Sequence, residues 1–151
     1  MPKFQKCTVG SLVKIPLGDN SHSYGIILPS PEMAFFDINT SDELDPSHIP
    51  ESPVLFRAWV RKYAITSCRW PKVGKADIPF HLQNTIPRFI QDILNPKCFE
   101  ISQGGVIRPA SREECFSLEC AAVWDPYHIE DRLRDHFAGI PNKWFESMKI
   151  K

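Results

Sequence analysis

The chain has 151 residues, 42% hydrophobic and 24% charged, with 18 basic residues balanced by 18 acidic ones. That is the size and composition of one globular domain, 1–151, with enough apolar material for its own core, which excludes a disordered chain. No apolar run approaches the roughly 18 residues needed to cross a bilayer. Zero net charge argues against a nucleic-acid coat or a membrane-surface protein.

The opening MPKFQKCTVG has no apolar core of a secretion signal. The five cysteines, Cys7, Cys68, Cys98, Cys115 and Cys120, are odd in number and widely spaced. Five reduced thiols in a cytoplasmic protein are therefore expected. Cys115 and Cys120 form the one close pair, and no histidine completes them at finger spacing, so neither metal nor other cofactor is expected.

Fourteen prolines, about twice the usual share, cut the first 110 residues into segments too short for long helices. Residues 12–17 (LVKIPL) and 24–28 (YGIIL) read as a hairpin across the polar loop 18–23. Residues 33–38 form a third strand, with Ala34, Phe36 and Ile38 on one face. Residues 54–61 alternate cleanly: Val54, Phe56, Ala58 and Val60 face a core, while Leu55, Arg57, Trp59 and Arg61 make a mixed surface with an exposed tryptophan. Residues 98–102 and 106–108 suggest a second hairpin around Gln103-Gly104-Gly105.

Helical signals come late. Ser111 and Glu114 have capping-box spacing, which predicts a short helix through Phe116. Asp125 as N-cap, Pro126 in the first turn and Gly139 as stop predict a helix over 126–138. Its apolar stripe is Ile129, Leu133 and Phe137, and Glu130 and Arg134 are spaced as an i,i+4 ion pair. Trp144, Phe145, Met148 and Ile150 then pack back on the sheet. The expected fold is α+β: a small, strongly bent antiparallel sheet or SH3-like barrel with one C-terminal helix. Strand order beyond the first hairpin and oligomeric state are not set by the pattern.

No phosphate-binding glycine loop and no G-x-S-x-G elbow occur. Asp131 and Asp135 lie four apart on the late helix, a spacing that can hold a metal or share acid–base work. The plainer reading is a solvated face of ion pairs, with Arg132 reaching Asp135 or His136 and Asp131 reaching Arg134. His136, beside the apolar stripe, reads as a partly buried, satisfied histidine. A hydrolase built on these acids, or on a cysteine and a histidine, requires a deep pocket where they converge.

Charge distribution says more than charge total. From Glu32 to Glu51 every charged residue is acidic: Glu32, Asp37, Asp42, Glu43, Asp45 and Glu51. From Arg57 to Lys75 every one is basic: Arg57, Arg61, Lys62, Arg69, Lys72 and Lys75. Separated on the surface, these runs make an electrostatic contact face. The basic run, interleaved with Trp59, Tyr63 and Trp70, also fits a strip that tracks a single-stranded nucleic acid. Alternatively, the two runs neutralise each other across neighbouring strands.

Three stretches carry a resemblance. Residues 10–19 (GSLVKIPLGD) leading to Tyr24-Gly25, then Phe35-Phe36-Asp37-Ile38, then 119–124 (ECAAVW) with His128, Asp131, Arg132, Asp135 and His136, together resemble the immunity protein 26 family of bacterial polymorphic-toxin systems. Residues 40–100 carry little of that signature. The resemblance implies a small cytoplasmic binder, not an enzyme, that protects its cell by capping a cognate toxin domain, such as a nuclease. The shared residues Asp37, Trp124, Asp131 and Arg132 would hold the fold, with Arg132 bridging helix to sheet. The partner contact is expected in the loop where the signature is thin, on Asp42, Glu43, Asp45 and Glu51.

Overall fold

A computed structural model describes residues 4–29 and 32–151. Six strands form the main sheet: β1 (Ser11–Pro16), β2 (His22–Ile27), β3 (Glu32–Phe36), β4 (Val54–Val60), β5 (Lys72–Lys75) and β9 (Val123–Trp124), in the order β5-β1-β2-β3-β4-β9. The pairs are antiparallel except β4 with β9, which run parallel. A separate three-stranded meander holds β6 (Arg88–Gln91), β7 (Phe99–Gln103) and β8 (Val106–Ala110). The helices are α1 (Tyr63–Thr66), α2 (Arg112–Cys115), α3 (Pro126–Ala138) and α4 (Lys143–Ser147), with 3-10 turns over Pro46–Glu51 and Phe80–Leu82.

The α+β expectation holds, with two differences. Among the described residues the main sheet ends at β5 and β9 and closes into no barrel. Two helices, not one, end the chain, because Asn142 caps a further turn by accepting the Phe145 N–H at 2.9 Å.

The main sheet is buried on both faces. Its centre is almost continuously apolar, and the register sorts it into two layers. Val13, Phe35, Phe56 and Ala58 point one way, against Ile129 and Leu133 of α3. Leu12, Ile26, Ala34 and Phe36 point the other way, against Ile49 and Leu82 of the two 3-10 turns. The meander packs Phe89, Phe99 and Ile101 on Cys115 as a third cluster. Trp144, Phe145 and Met148 fold back on the α3 layer and Ile150 on the meander, as the tail pattern predicts.

Helix α3 has the expected ends: Pro126 opens it, and Gly139 closes it at φ 72°, a left-handed conformation that suits glycine. Asp125 makes no capping hydrogen bond, because its carboxylate is held by Arg61 Nε at 3.0 Å. At α2 both arms of the capping box form. The i,i+4 pair of Glu130 with Arg134 does not form. Glu130 is buried, and a fork from Arg69 at 2.7 and 2.8 Å together with Trp70 Nε1 at 2.8 Å satisfies it far better than one exposed arginine. Arg134 turns to Asp131 and the Leu17 carbonyl.

The outward set of β4 is also less open than its alternation suggests. Leu55 and Trp59 are partly buried, and the Arg57 side chain largely so. The Arg88 guanidinium of the meander lies 4.7 Å from the Trp59 ring centre.

Candidate functional surface

The loop between β3 and β4 carries the four predicted contact acids, and all four are exposed. The loop is tied to the sheet at three points. Thr40 and His22 exchange backbone hydrogen bonds at 2.9 and 3.1 Å. The buried His22 ring places Nε2 2.9 Å from Tyr24 Oη and 3.0 Å from the Asp42 carbonyl oxygen, and Leu44 N–H donates to the same hydroxyl at 3.3 Å. Ile49 is sunk in the core.

The acids differ in their engagement. Asp45 caps the 3-10 turn, accepting from Ser47 N at 3.0 Å and Ser47 Oγ at 2.9 Å, and these bonds hold its carboxyl below the usual range. Glu43 accepts from Lys14, which lowers its pKa likewise. Glu51 has only His48, at 3.2 Å, with both side chains solvated. Among the described residues Asp42, Asp45 and Glu51 pair with no lysine or arginine. The loop therefore presents net negative charge on an ordered backbone.

The three arginines of the basic run are neutralised, but not by this loop. Arg61 pairs with Asp125 and Arg69 with Glu130. Arg57 pairs with Glu32, the one member of the acidic run that crosses to the neighbouring strand. Trp70 is 0% exposed, and its ring is set edge-on to Phe35. Of the nucleic-acid residues Arg57, Trp59, Arg61, Lys62, Tyr63 and Arg69, Arg57 and Trp59 are thus withdrawn from the open surface and the three arginines are committed to carboxylates. They do not form one open strip.

The four signature residues lie around α3. Arg132 forms a fork on Glu119 at 2.8 and 3.0 Å, and its guanidinium lies 3.6 Å from the Phe56 ring centre, flanked by Phe145 and the buried Trp124. It does not reach Asp135 or His136. Asp131 accepts from Arg134 and from Trp144 Nε1 at 2.9 Å. Burial raises its pKa, but these two donors outweigh burial and leave it below the usual range. Asp135 accepts from Asn142 at 2.9 Å, so the two helix acids serve different donors and share no site. Asp37 is exposed, 3.6 Å from His136, whose own side chain is about half exposed. Burial pushes the Cys115 and Cys120 thiols up, away from the nucleophilic form.

One charged cluster escapes sequence reasoning. Glu32 takes Arg57 Nη2 on one oxygen and Arg88 Nη2 on the other, both at 2.6 Å. The three side chains are about nine-tenths buried, between the main sheet and the meander. They border a groove of about 260 Å³ that is also lined by Trp59, Asn84, Thr85 and Ser102. The signal was a glutamate inside the apolar strand EMAFF, a position that requires cationic partners but does not name them.

The family model for immunity protein 26 matches residues 8–100. The match takes in the middle of the chain, where the resemblance looked thin. It stops short of the 119–136 region on which the resemblance also rested. No curated protein and no solved structure matches the chain.

Proposed function

This chain belongs to the immunity protein 26 family, and on that premise we propose that it neutralises a cognate toxin domain of a polymorphic-toxin system by binding it inside the cell that makes both. One observation carries the choice of surface. Asp42, Asp45 and Glu51 stand exposed with no lysine or arginine partner among the described residues, on a loop anchored by His22, Tyr24 and Ile49. An ordered loop loses little entropy on docking, and its unneutralised acids attract a basic cleft such as that of a nuclease. In this reading the protein is an inhibitor that transforms nothing. The separate engagement of Asp131 and Asp135 and the raised thiols agree with that. The signature residues Asp37, Trp124, Asp131 and Arg132 are assigned to the scaffold.

The test pairs this chain with any toxin domain encoded beside its gene. Wild type should bind that domain and rescue growth on co-expression. A variant carrying Asp42→Asn, Glu43→Gln, Asp45→Asn and Glu51→Gln should associate on the order of tenfold more slowly at low salt, with the gap closing as salt rises. An unaltered association rate removes the loop from the interface. Absence of binding and rescue by wild type overturns the function itself.

A further inference from the structure

We propose that the groove between the main sheet and the meander is an oxyanion-binding site, in which Arg57 and Arg88 accept a carboxylate or phosphate group from outside the chain. The proposal stands on donors left over after folding. Glu32 supplies one negative charge to two guanidinium groups, so the cluster carries a net positive charge. Among the described residues each arginine commits only Nη2: Arg57 to Glu32 and the Asn84 carbonyl, Arg88 to Glu32 and the Arg57 carbonyl. Neither forms the two-nitrogen fork that Arg132 and Arg69 give their carboxylates.

A guanidinium has five N–H donors, so most of those on this pair have no acceptor among the described residues. Arg57 Nε is fully sealed from solvent and unpartnered, and it is the one such buried side-chain nitrogen or oxygen among them. The other unspent nitrogens of the two arginines are not among such sealed, unpartnered atoms. A purely structural clamp would spend its donors, since an unsatisfied buried donor costs free energy.

The space beside the pair suits a small oxyanion. The groove's roughly 260 Å³ is a little below the usual range for small-molecule sites. Thr85 and Ser102 add hydroxyls to its wall and Trp59 an aromatic side. Arg88 stacked over Trp59 is held in place for planar recognition of a carboxylate or phosphate. The site uses none of the loop's four acids and does not depend on the toxin-binding reading.

The experiment observes the arginine Nε–H resonances of the isotopically labelled protein. Inorganic phosphate, acetate, citrate and chloride are titrated separately at constant ionic strength. Phosphate or a carboxylate should move the Arg57 and Arg88 signals saturably, while chloride moves them weakly and without saturation. Saturation by phosphate alone identifies a phosphorylated ligand, and saturation by acetate or citrate a carboxylate. Ser102→Leu narrows the groove from the strand position opposite Arg88 without removing either arginine, and it should weaken saturation about tenfold or more. Shifts that are linear, equal for chloride or untouched by Ser102→Leu would overturn the proposal. No toxin is needed, so that failure would leave the proposed function standing.

Discussion

Replacing Arg132 tests whether the signature residues hold the fold. Its side chain is 12% exposed and does two jobs: a fork on Glu119 and a stack over Phe56 between Phe145 and Trp124. Charge-assisted hydrogen bonds contribute about 1.5–3 kcal/mol, and a desolvated cation–π contact about 2 kcal/mol. The two share one guanidinium and do not add in full. Glu119 is about a third exposed and regains water when its partner is lost, which keeps the cost below that of breaking a fully buried pair. Arg132→Ala should therefore cost about 3 kcal/mol. Arg132→Lys, which keeps the charge but loses the fork, should cost about 1.5 kcal/mol. Glu119→Gln, which leaves the stack, should cost about 1 kcal/mol. Urea denaturation reads these differences, and at a slope of about 2 kcal/mol per molar the alanine variant should unfold about 1.5 M earlier. The reasoning is refuted if the alanine variant lies within about 0.5 kcal/mol of wild type. It is refuted equally if lysine restores full stability, since a bare charge would then suffice.

Glu32→Ala should be more costly, about 3–5 kcal/mol, because it strands Arg57 and Arg88 together in a buried place; a loss under about 1 kcal/mol in the same denaturation would mean water already reaches them. Ser111→Ala removes one arm of the capping box and should cost about 1 kcal/mol, read as faster hydrogen exchange in residues 112–115; unchanged exchange would deny the cap a role. Asp131 has a lowered pKa in the folded chain, so its stabilisation is complete above the ordinary carboxylate range and is lost as pH falls through the lower folded value. Asp131→Asn should thus be less stable than wild type at pH 7, with the gap shrinking below about pH 4, and a gap constant down to pH 2 contradicts this. Exposed Cys7 and Cys98 should react with a thiol reagent before Cys115, which is buried and has a raised pKa; equal rates would show that the meander opens readily.

What the sequence reveals follows the range of the forces involved. The first hairpin, the capping box at Ser111 and the span of α3 are encoded within a few residues each, and all three form where expected. Strands β5 and β6, four residues each, and β9, of two, are too short to show alternation. β5 exists because β1 offers an edge and because Gly74 lets it approach Pro46, where a Cβ would come within 2.6 Å of the proline ring. Ion pairing was least legible. Arg69 and Glu130 are 61 residues apart and Glu32 and Arg88 are 56, so local spacing favoured the wrong partner for Glu130. The exposure of the acidic loop could be read from its composition, but its anchoring by His22 and Tyr24 depended on contacts about 20 residues distant.

The two-sided burial of the main sheet bears on where this chain can be cut. One apolar layer is covered by the 3-10 turns at 46–51 and 80–82, both inside the span that matches the family. The other is covered partly by Ile65 and Trp70 and, beyond residue 100, by Ile129, Leu133 and the closing turns of the chain. A fragment ending there would keep every strand from β1 to β5 yet strip from the layer of Val13, Ile15, Phe35 and Phe56 the part of its cover that α3 and the tail supply. The last third of the molecule is thus its second roof, and shortening the chain to its recognisable part should yield aggregates in place of a minimal domain.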